Sequence, residues 1–404
     1  MTPSPLLVGT SVTDITPPLE VGLLTSSING LYEPFESVRL PLKARVLVFR
    51  LGAELIALVS ADLLALNDTA VDGWDNFKQG MTDIIDGDKI IFTYTHTHNA
   101  PESVALSNLY QTEIYQFWLA RVQFRIREAI KTAMVAMQPC TLSVFYNKLD
   151  GFSMQRRIKT TNGIVMSDSI QPIAPELLDL PPVDHRVKTV RFYNDKGDSV
   201  ATMVHAICHP VHEMCLKHIS AEFPGEMCIE MERSAQNGMP LFLNGAAGDT
   251  NPPTVSMGPD YAREHGMALA KVAQNDENGL KINSSVFAFT RSKVQLPVRE
   301  GSGITNDKDA LARFSAIRIG ELAMVFLPGE PFVETALDIE DRSPFTYTIV
   351  VAYAENNIGY IPTEEALKLG GYEAGPGKWS YMEAGTDKVI IKEALRLLNE
   401  LYNR

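Results

Sequence analysis

Short apolar runs bounded by turn residues recur along the whole chain, alternating with segments that carry apolar residues at helical spacing. Residues 43–50 read as a strand, turned at Gly52 into a buried strand over 55–60 that ends at Ala61-Asp62. The spacing predicts a helix over 69–81. Ile90-Ile91-Phe92-Thr93-Tyr94 is a buried strand, and 112–137 is one long helix. Strands are predicted over 141–146, 187–193, 200–208 and 240–244. Helices are predicted over 222–236, with Pro224 suited to a helix start, and over 260–274. In the last third, strands 285–295, 315–319, 322–327 and 347–353 accompany helices 331–340 and 388–401. Residues 154–182 contain Pro172, Pro175, Pro181 and Pro182 and read as a long irregular surface loop beside a binding site. The alternation points to an α/β fold of mixed β-sheets flanked by helices. No repeat or composition break divides the chain, so a single domain over residues 1–404 is expected.

The chain is 404 residues long, 45% hydrophobic and 21% charged, which places it among globular proteins. A net charge of -13 argues against nucleic-acid binding or docking on an anionic membrane by charge. No stretch approaches the ~20 apolar residues of a membrane helix. Met1-Thr2-Pro3-Ser4-Pro5 lacks the basic and apolar segments of a secretory signal. Cys140, Cys208, Cys215 and Cys228 form no CxxC pair. A reduced, cytoplasmic protein acting on a small molecule is the expectation, with homo-oligomerisation open.

Five segments carry chemistry-bearing residues. Thr95-His96-Thr97-His98 follows the apolar strand ending at Tyr94. On a continuing strand His96 and His98 would share a face, as metal ligands or as acid–base groups. Structural roles for such a pair are as common. His205-Ala206-Ile207-Cys208-His209-Pro210 delivers a second histidine to a strand end, where Pro210 breaks the ladder. The Glu213 spacing and Pro210 oppose a zinc-protease HExxH helix. Asn244-Gly245-Ala246-Ala247-Gly248-Asp249-Thr250-Asn251-Pro252-Pro253 offers small residues for a close backbone approach or an oxyanion site, or is a turn capped by Asp249. Pro328-Gly329-Glu330-Pro331 presents a carboxylate where a helix begins, either favouring the helix dipole or completing a His₂Glu metal set. Gly359-Tyr360 and Gly371-Tyr372-Glu373 place phenols in turns, as packing groups, ligands or oxyanion donors.

Taken in order, these segments resemble the catalytic domain of the neutral/alkaline ceramidase family. The opening Val8-Gly9-Thr10-Ser11-Val12-Thr13-Asp14-Ile15-Thr16-Pro17-Pro18 is similar to the family's, as are Leu42-Lys43-Ala44-Arg45 and Val59-Ser60-Ala61-Asp62-Leu63. The likeness runs from Val8 to Tyr372 and implies hydrolysis of an N-acyl amide with one zinc ion. By position it implies His96, His209, Glu330 and Tyr360 as metal ligands. It implies His98 and Tyr372 at the scissile amide, and Arg156 or Arg157 facing substrate. Asn251 stands where the family's Gly-Asp-x-Ser-Pro motif has serine, and retains a hydrogen-bond donor for positioning or an oxyanion. Asn99-Ala100-Pro101-Glu102-Ser103 replaces the family's Ser-Gly-Pro-Gly-Gly. The C-terminal immunoglobulin-like domain of ceramidases has no counterpart here.

These departures point away from ceramide itself and towards a smaller, soluble amide. The expected catalytic residues are His98, Tyr372, Asn251 and Arg156, with Arg157 and Asp249 binding substrate. A zinc esterase or lactonase and a non-catalytic, metal-stabilised binding protein are the alternatives. Asp14 and Asp62 are expected as buried partners of backbone or histidine N–H groups. His212, Cys215 and His218 are expected in turn and surface roles rather than as a second metal site. His185 and His265 lack a metal context, and Trp74, Trp118 and Trp379 read as packing.

Overall fold

Three large sheets carry the apolar runs of the chain. The computed structural model describes residues 5–22, 33–214 and 216–404, so residues 1–4, 23–32 and Cys215 lie outside the described residues. The first sheet has the order Ile90–Tyr94, Glu54–Ala61, Lys43–Leu51, Leu7–Asp14, Gln138–Pro139. The second runs Met239–Asn244, Ser199–Ala206, Arg186–Tyr193, Thr141–Lys148, Leu280–Ile282. The third runs Phe287–Gln295, Leu311–Ile319, Leu322–Phe326, Tyr347–Val351. Each sheet is antiparallel except for one parallel pair at its edge: Glu54–Ala61 with Ile90–Tyr94, Ser199–Ala206 with Met239–Asn244, and Leu322–Phe326 with Tyr347–Val351. The mixed-sheet, helix-flanked architecture read from the sequence is the one observed.

Alternation along each strand explains why the strands are apolar on both faces. Leu47 and Phe49, Leu142 and Val144, Leu241 and Leu243, and Met324 and Phe326 point into one core shared by all three sheets. Their neighbours point outward under helices. Val46 and Val48 lie beneath helix Glu113–Val135, in one cluster with its Trp118, Val122, Ile126 and Ala129, and Phe92 packs on Trp74 and Phe77. Val204 and Phe242 pack on Phe223, Met227 and Leu269 of helices Glu222–Glu232 and Pro259–Gln274. Val325 and Val350 pack on helices Val333–Arg342 and Thr386–Tyr402 through Ile339, Leu397 and Leu398. Among the described residues, no helix is long and apolar enough to cross a membrane.

Three sequence expectations need adjustment. The helix expected over 69–81 is confined to Trp74–Gln79. Asn67 and Asp68 accept from Ala70 N and Trp74 N, and Gly73 at φ 100° breaks the helical path. The 154–182 segment is not wholly irregular. It contains Met154–Gln155 and the hairpin Arg157–Thr160 with Gly163–Met166. Asp14 is exposed rather than buried, accepting from Thr16 N, whereas Asp62 is buried and accepts from Lys43 N.

Candidate metal centre and active site

The parallel edge pairs converge at one point. His96 follows the end of Ile90–Tyr94, His209 follows Ser199–Ala206, and Glu330 follows Leu322–Phe326. Open α/β sheets keep ligand chemistry beyond the carboxyl ends of such strands. His96 does not continue its strand. It adopts φ 69°, a left-handed conformation unusual for a residue with a side chain. The kink, not strand alternation, brings its ring to 5.0 Å from His98 and 4.8 Å from His209. Thr97 turns away and donates to Ser220 O.

Both candidate ligand imidazoles are oriented from behind. His96 Nδ1 lies 2.8 Å from Leu64 O and His209 Nδ1 lies 2.7 Å from Ala247 O. A carbonyl only accepts, so each Nδ1 carries the proton and each Nε2 is left with a lone pair in the neutral ring. Those nitrogens lie 3.2 Å and 3.3 Å from Glu330 Oε2. His96 Nε2, His98 Nε2 and Glu330 Oε2 are all buried without a hydrogen-bond partner. Tyr360 OH is 3.3 Å from His209 Nε2. The ligand atoms of His96, His98 and His209 lie within 4.8 Å of one another.

Electrostatics favours the same picture. Burial, with Arg156 nearby, pushes His209 down to about 4. Burial and the neighbouring imidazoles hold His98 well below the usual range. Burial opposes ionisation of Glu330, but His96 and His209 hold its carboxyl below the ordinary value. A buried carboxylate oxygen thus faces the two ring nitrogens whose opposite Nδ1 atoms are already engaged by backbone carbonyls. A divalent cation would suit that donor set.

Around this focus lie residues to which sequence reasoning assigned no role. The Tyr353 ring lies on His96 at 4.2 Å, and its buried hydroxyl has no partner. Asn244 Nδ2 donates to both Thr95 O and Cys208 O, tying the two histidine segments together. Glu373 is fully buried and accepts from Arg156 Nε at 2.6 Å and from Arg157 Nη1. Only its adjacency to Tyr372 hinted at this in the sequence.

The remaining expected site residues divide. Arg156 lies over the Tyr360 ring at 5.1 Å, donates to Asn251 Oδ1 at 3.3 Å, and keeps Nη2 without a partner. Tyr372 meets Tyr360 edge-on at 5.8 Å. Arg157 turns the other way, over Phe332, donating to Ala366 O and Gly370 O. Asp249 accepts from Val333 N and Gln155 Nε2. Both residues line a separate cavity of about 380 Å³ with Leu180, Pro182 and Phe332.

Three N–H groups of the glycine loop are engaged by backbone carbonyls. Gly245 N, Gly248 N and Thr250 N donate to Ala206 O, Pro331 O and Ala247 O. A Cβ at Gly248 would fall 2.4 Å from Glu330 O. Gly248→Ala is therefore expected to displace Glu330 and weaken metal binding by about 10- to 100-fold, the range for residues that orient ligands. Isothermal titration of the metal-free variant with zinc checks this.

The other histidines pair elsewhere. His212 Nε2 meets His265 Nδ1 at 2.9 Å, and His218 Nε2 meets Glu213, so they converge on no common point. His185 has more acidic company than the sequence suggested, with Asp150 at 3.1 Å and Asp179 at 3.6 Å. Both carboxylates are exposed, and Lys148 already pairs with Asp150 at 2.7 Å. Trp74 and Trp118 are core residues as expected, whereas Trp379 stacks on Tyr372.

The sequence matches no family model and no curated protein. Solved structures do match. A ceramidase complexed with C2 aligns over 99% of this chain and 76% of its own, at TM-score 0.78 and 17% identity. Neutral ceramidase from Pseudomonas aeruginosa aligns over 99% of this chain and 75% of its own, at TM-score 0.77 and 18% identity. The chain has the fold of these enzymes.

Proposed function

We propose that the chain is a zinc-dependent hydrolase that cleaves an N-acyl type amide bond in a small substrate. The observation carrying this reading is the convergence of the buried His96 Nε2, His209 Nε2 and Glu330 Oε2, of which His96 Nε2 and Glu330 Oε2 have no hydrogen-bond partner and His209 Nε2 meets the Tyr360 hydroxyl. Their 3.2 and 3.3 Å spacings are close to the roughly 3.3 Å edge of a tetrahedron with zinc–ligand bonds of ~2.0–2.1 Å. The fold shared with ceramidases supports an amide as the bond cleaved.

In this reading His96, His209 and Glu330 would hold the ion, with Tyr360 as the fourth ligand. His98 is the rival for that fourth place, because its own Nε2 also faces the cluster unpartnered. When bound, zinc supplies Lewis acidity that brings a water molecule's pKa towards ~7. Tyr372, pushed up to about 12 by burial, keeps its proton at neutral pH and donates to the oxygen that gains charge. His98 is neutral there as well and suits a donor role. Arg156, over the Tyr360 ring with Nη2 buried and unpartnered, is held by Glu373 and suits a substrate contact. Asn251 has Oδ1 engaged by Arg156, which leaves its amide nitrogen as the donor. Arg157 and Asp249 act as supports, bracing Glu373 and the turn after Glu330.

Metal analysis of protein purified without chelator is expected to find about one zinc per chain. Chromogenic N-acyl amides should be hydrolysed, with activity lost to chelation and restored by zinc. Tyr372→Phe should lower kcat by about 10²–10³, the value of one oxyanion donor, without unfolding the protein. Zinc content with no turnover of any amide, alongside turnover of esters, would move the assignment to an esterase. Zinc with no turnover at all would leave a binding protein.

A further inference from the structure

Tyr372 needs a brace. It opens the single turn Tyr372–Ala374, is 46% exposed, and follows Gly370 and Gly371 at φ 77° and 99°. Two consecutive left-handed glycines give the backbone before it unusual freedom. The indole of Trp379 supplies the brace. It lies parallel to the Tyr372 ring, with centroids 5.7 Å apart and planes 4° apart. Its Nε1 donates to Tyr372 O at 3.4 Å. Gly377 leaves the indole room, since a Cβ there would fall 2.6 Å from Trp379 Cζ3. The backbone of the same residue reaches the other phenol, because Trp379 O accepts from Tyr360 N at 2.9 Å. One residue thus holds Tyr360 through its carbonyl and Tyr372 through its side chain.

We propose that Trp379 is the positioning residue that fixes the Tyr372 hydroxyl for amide hydrolysis. The inference rests on the hydrolase reading, in which Tyr372 donates to the developing oxyanion. It separates the two tyrosines cleanly, because truncating the side chain leaves the carbonyl that holds Tyr360. A stacked ring pair limits the phenol to one plane, and misplacement of a reacting group by about 1 Å can cost about 100-fold.

Trp379→Ala is expected to lower kcat by about 10- to 100-fold with KM little changed and zinc content intact. Trp379→Phe, which keeps a stacking ring, should recover most of the loss. In a Tyr372→Phe background, Trp379→Ala should change kcat no further, since the hydroxyl it positions is gone. Hydrogen exchange should quicken at residues 371–376 in Trp379→Ala and stay unchanged in the three large sheets. Wild-type kcat in Trp379→Ala, or an undiminished loss in the Tyr372→Phe background, would overturn the inference while leaving the hydrolase reading in place. If the wild-type protein turns over no amide, the hydrolase reading falls. Unchanged exchange at residues 371–376 would then overturn the brace as well.

Discussion

Replacing Glu330 with alanine is expected to leave a folded chain that binds zinc more than ~100-fold more weakly and shows no measurable amide turnover. Residues that merely orient a ligand cost about 10- to 100-fold in affinity, and Glu330 contributes the carboxylate that meets both His96 and His209. Without it, neutral imidazoles face a divalent ion with no charge to balance it. The fold should tolerate the change, because Glu330 Oε2 has no hydrogen-bond partner to lose and the strand before it is fixed by the shared core. Glu330→Gln keeps the volume and removes the charge, so it should resemble alanine in metal affinity. Zinc titration followed by circular dichroism separates loss of metal from loss of fold. Full zinc content and full turnover in both variants would remove Glu330 from the centre.

The second large effect is expected at Glu373. Its carboxylate is fully buried and is shared by Arg156 and Arg157, themselves buried. Glu373→Ala leaves two guanidinium groups in a low-dielectric setting without their counter-charge. Breaking a buried pair in this way costs about 3–5 kcal/mol. Urea unfolding should show that loss as a lowered midpoint, and kcat should fall because Arg156 loses its tether. Burial opposes ionisation of Glu373, but Arg156 and Arg157 hold its carboxyl below the usual range. A carboxyl depressed in the folded state contributes stability above its unfolded pKa and loses it as pH falls. The stability gap between wild type and Glu373→Gln should therefore be full at pH 7 and narrow below about pH 4.5. An unfolding midpoint unchanged in Glu373→Ala would refute the argument.

Much of the fold was legible because the strands are buried on both faces and so read as unbroken apolar runs, as in Ile90–Tyr94 and Leu322–Phe326. The helix over 69–81 was overestimated because side-chain capping by Asn67 and Asp68 competes locally with helix formation. The site residues His96, His209, Glu330 and Tyr360 were legible as histidines, a carboxylate and a phenol at strand ends and turns. The structure brings all four together. Asn244, Tyr353, Glu373 and Trp379 were not legible in those roles, since each acts through a partner far away in sequence. Asn244 reaches Thr95 across 149 positions, and Arg156 reaches Glu373 across 217. Periodicity reports which face a residue occupies, not which distant group it meets. The glycine loop shows the converse: its small residues were noticed, but the surface they approach is the protein's own Glu330–Pro331 backbone.

His96, His209 and Glu330 each extend from a different sheet, and the three sheets are joined through one interior formed by residues such as Phe49, Leu243 and Phe326. That interior acts as a gauge for the spacing of the donor atoms. A change in side-chain volume deep between the sheets, remote from any polar group, shifts one donor against the other two. In the proposed reading, selectivity among divalent ions of different radius would then be set partly by the packing of leucines and phenylalanines remote from the donor atoms.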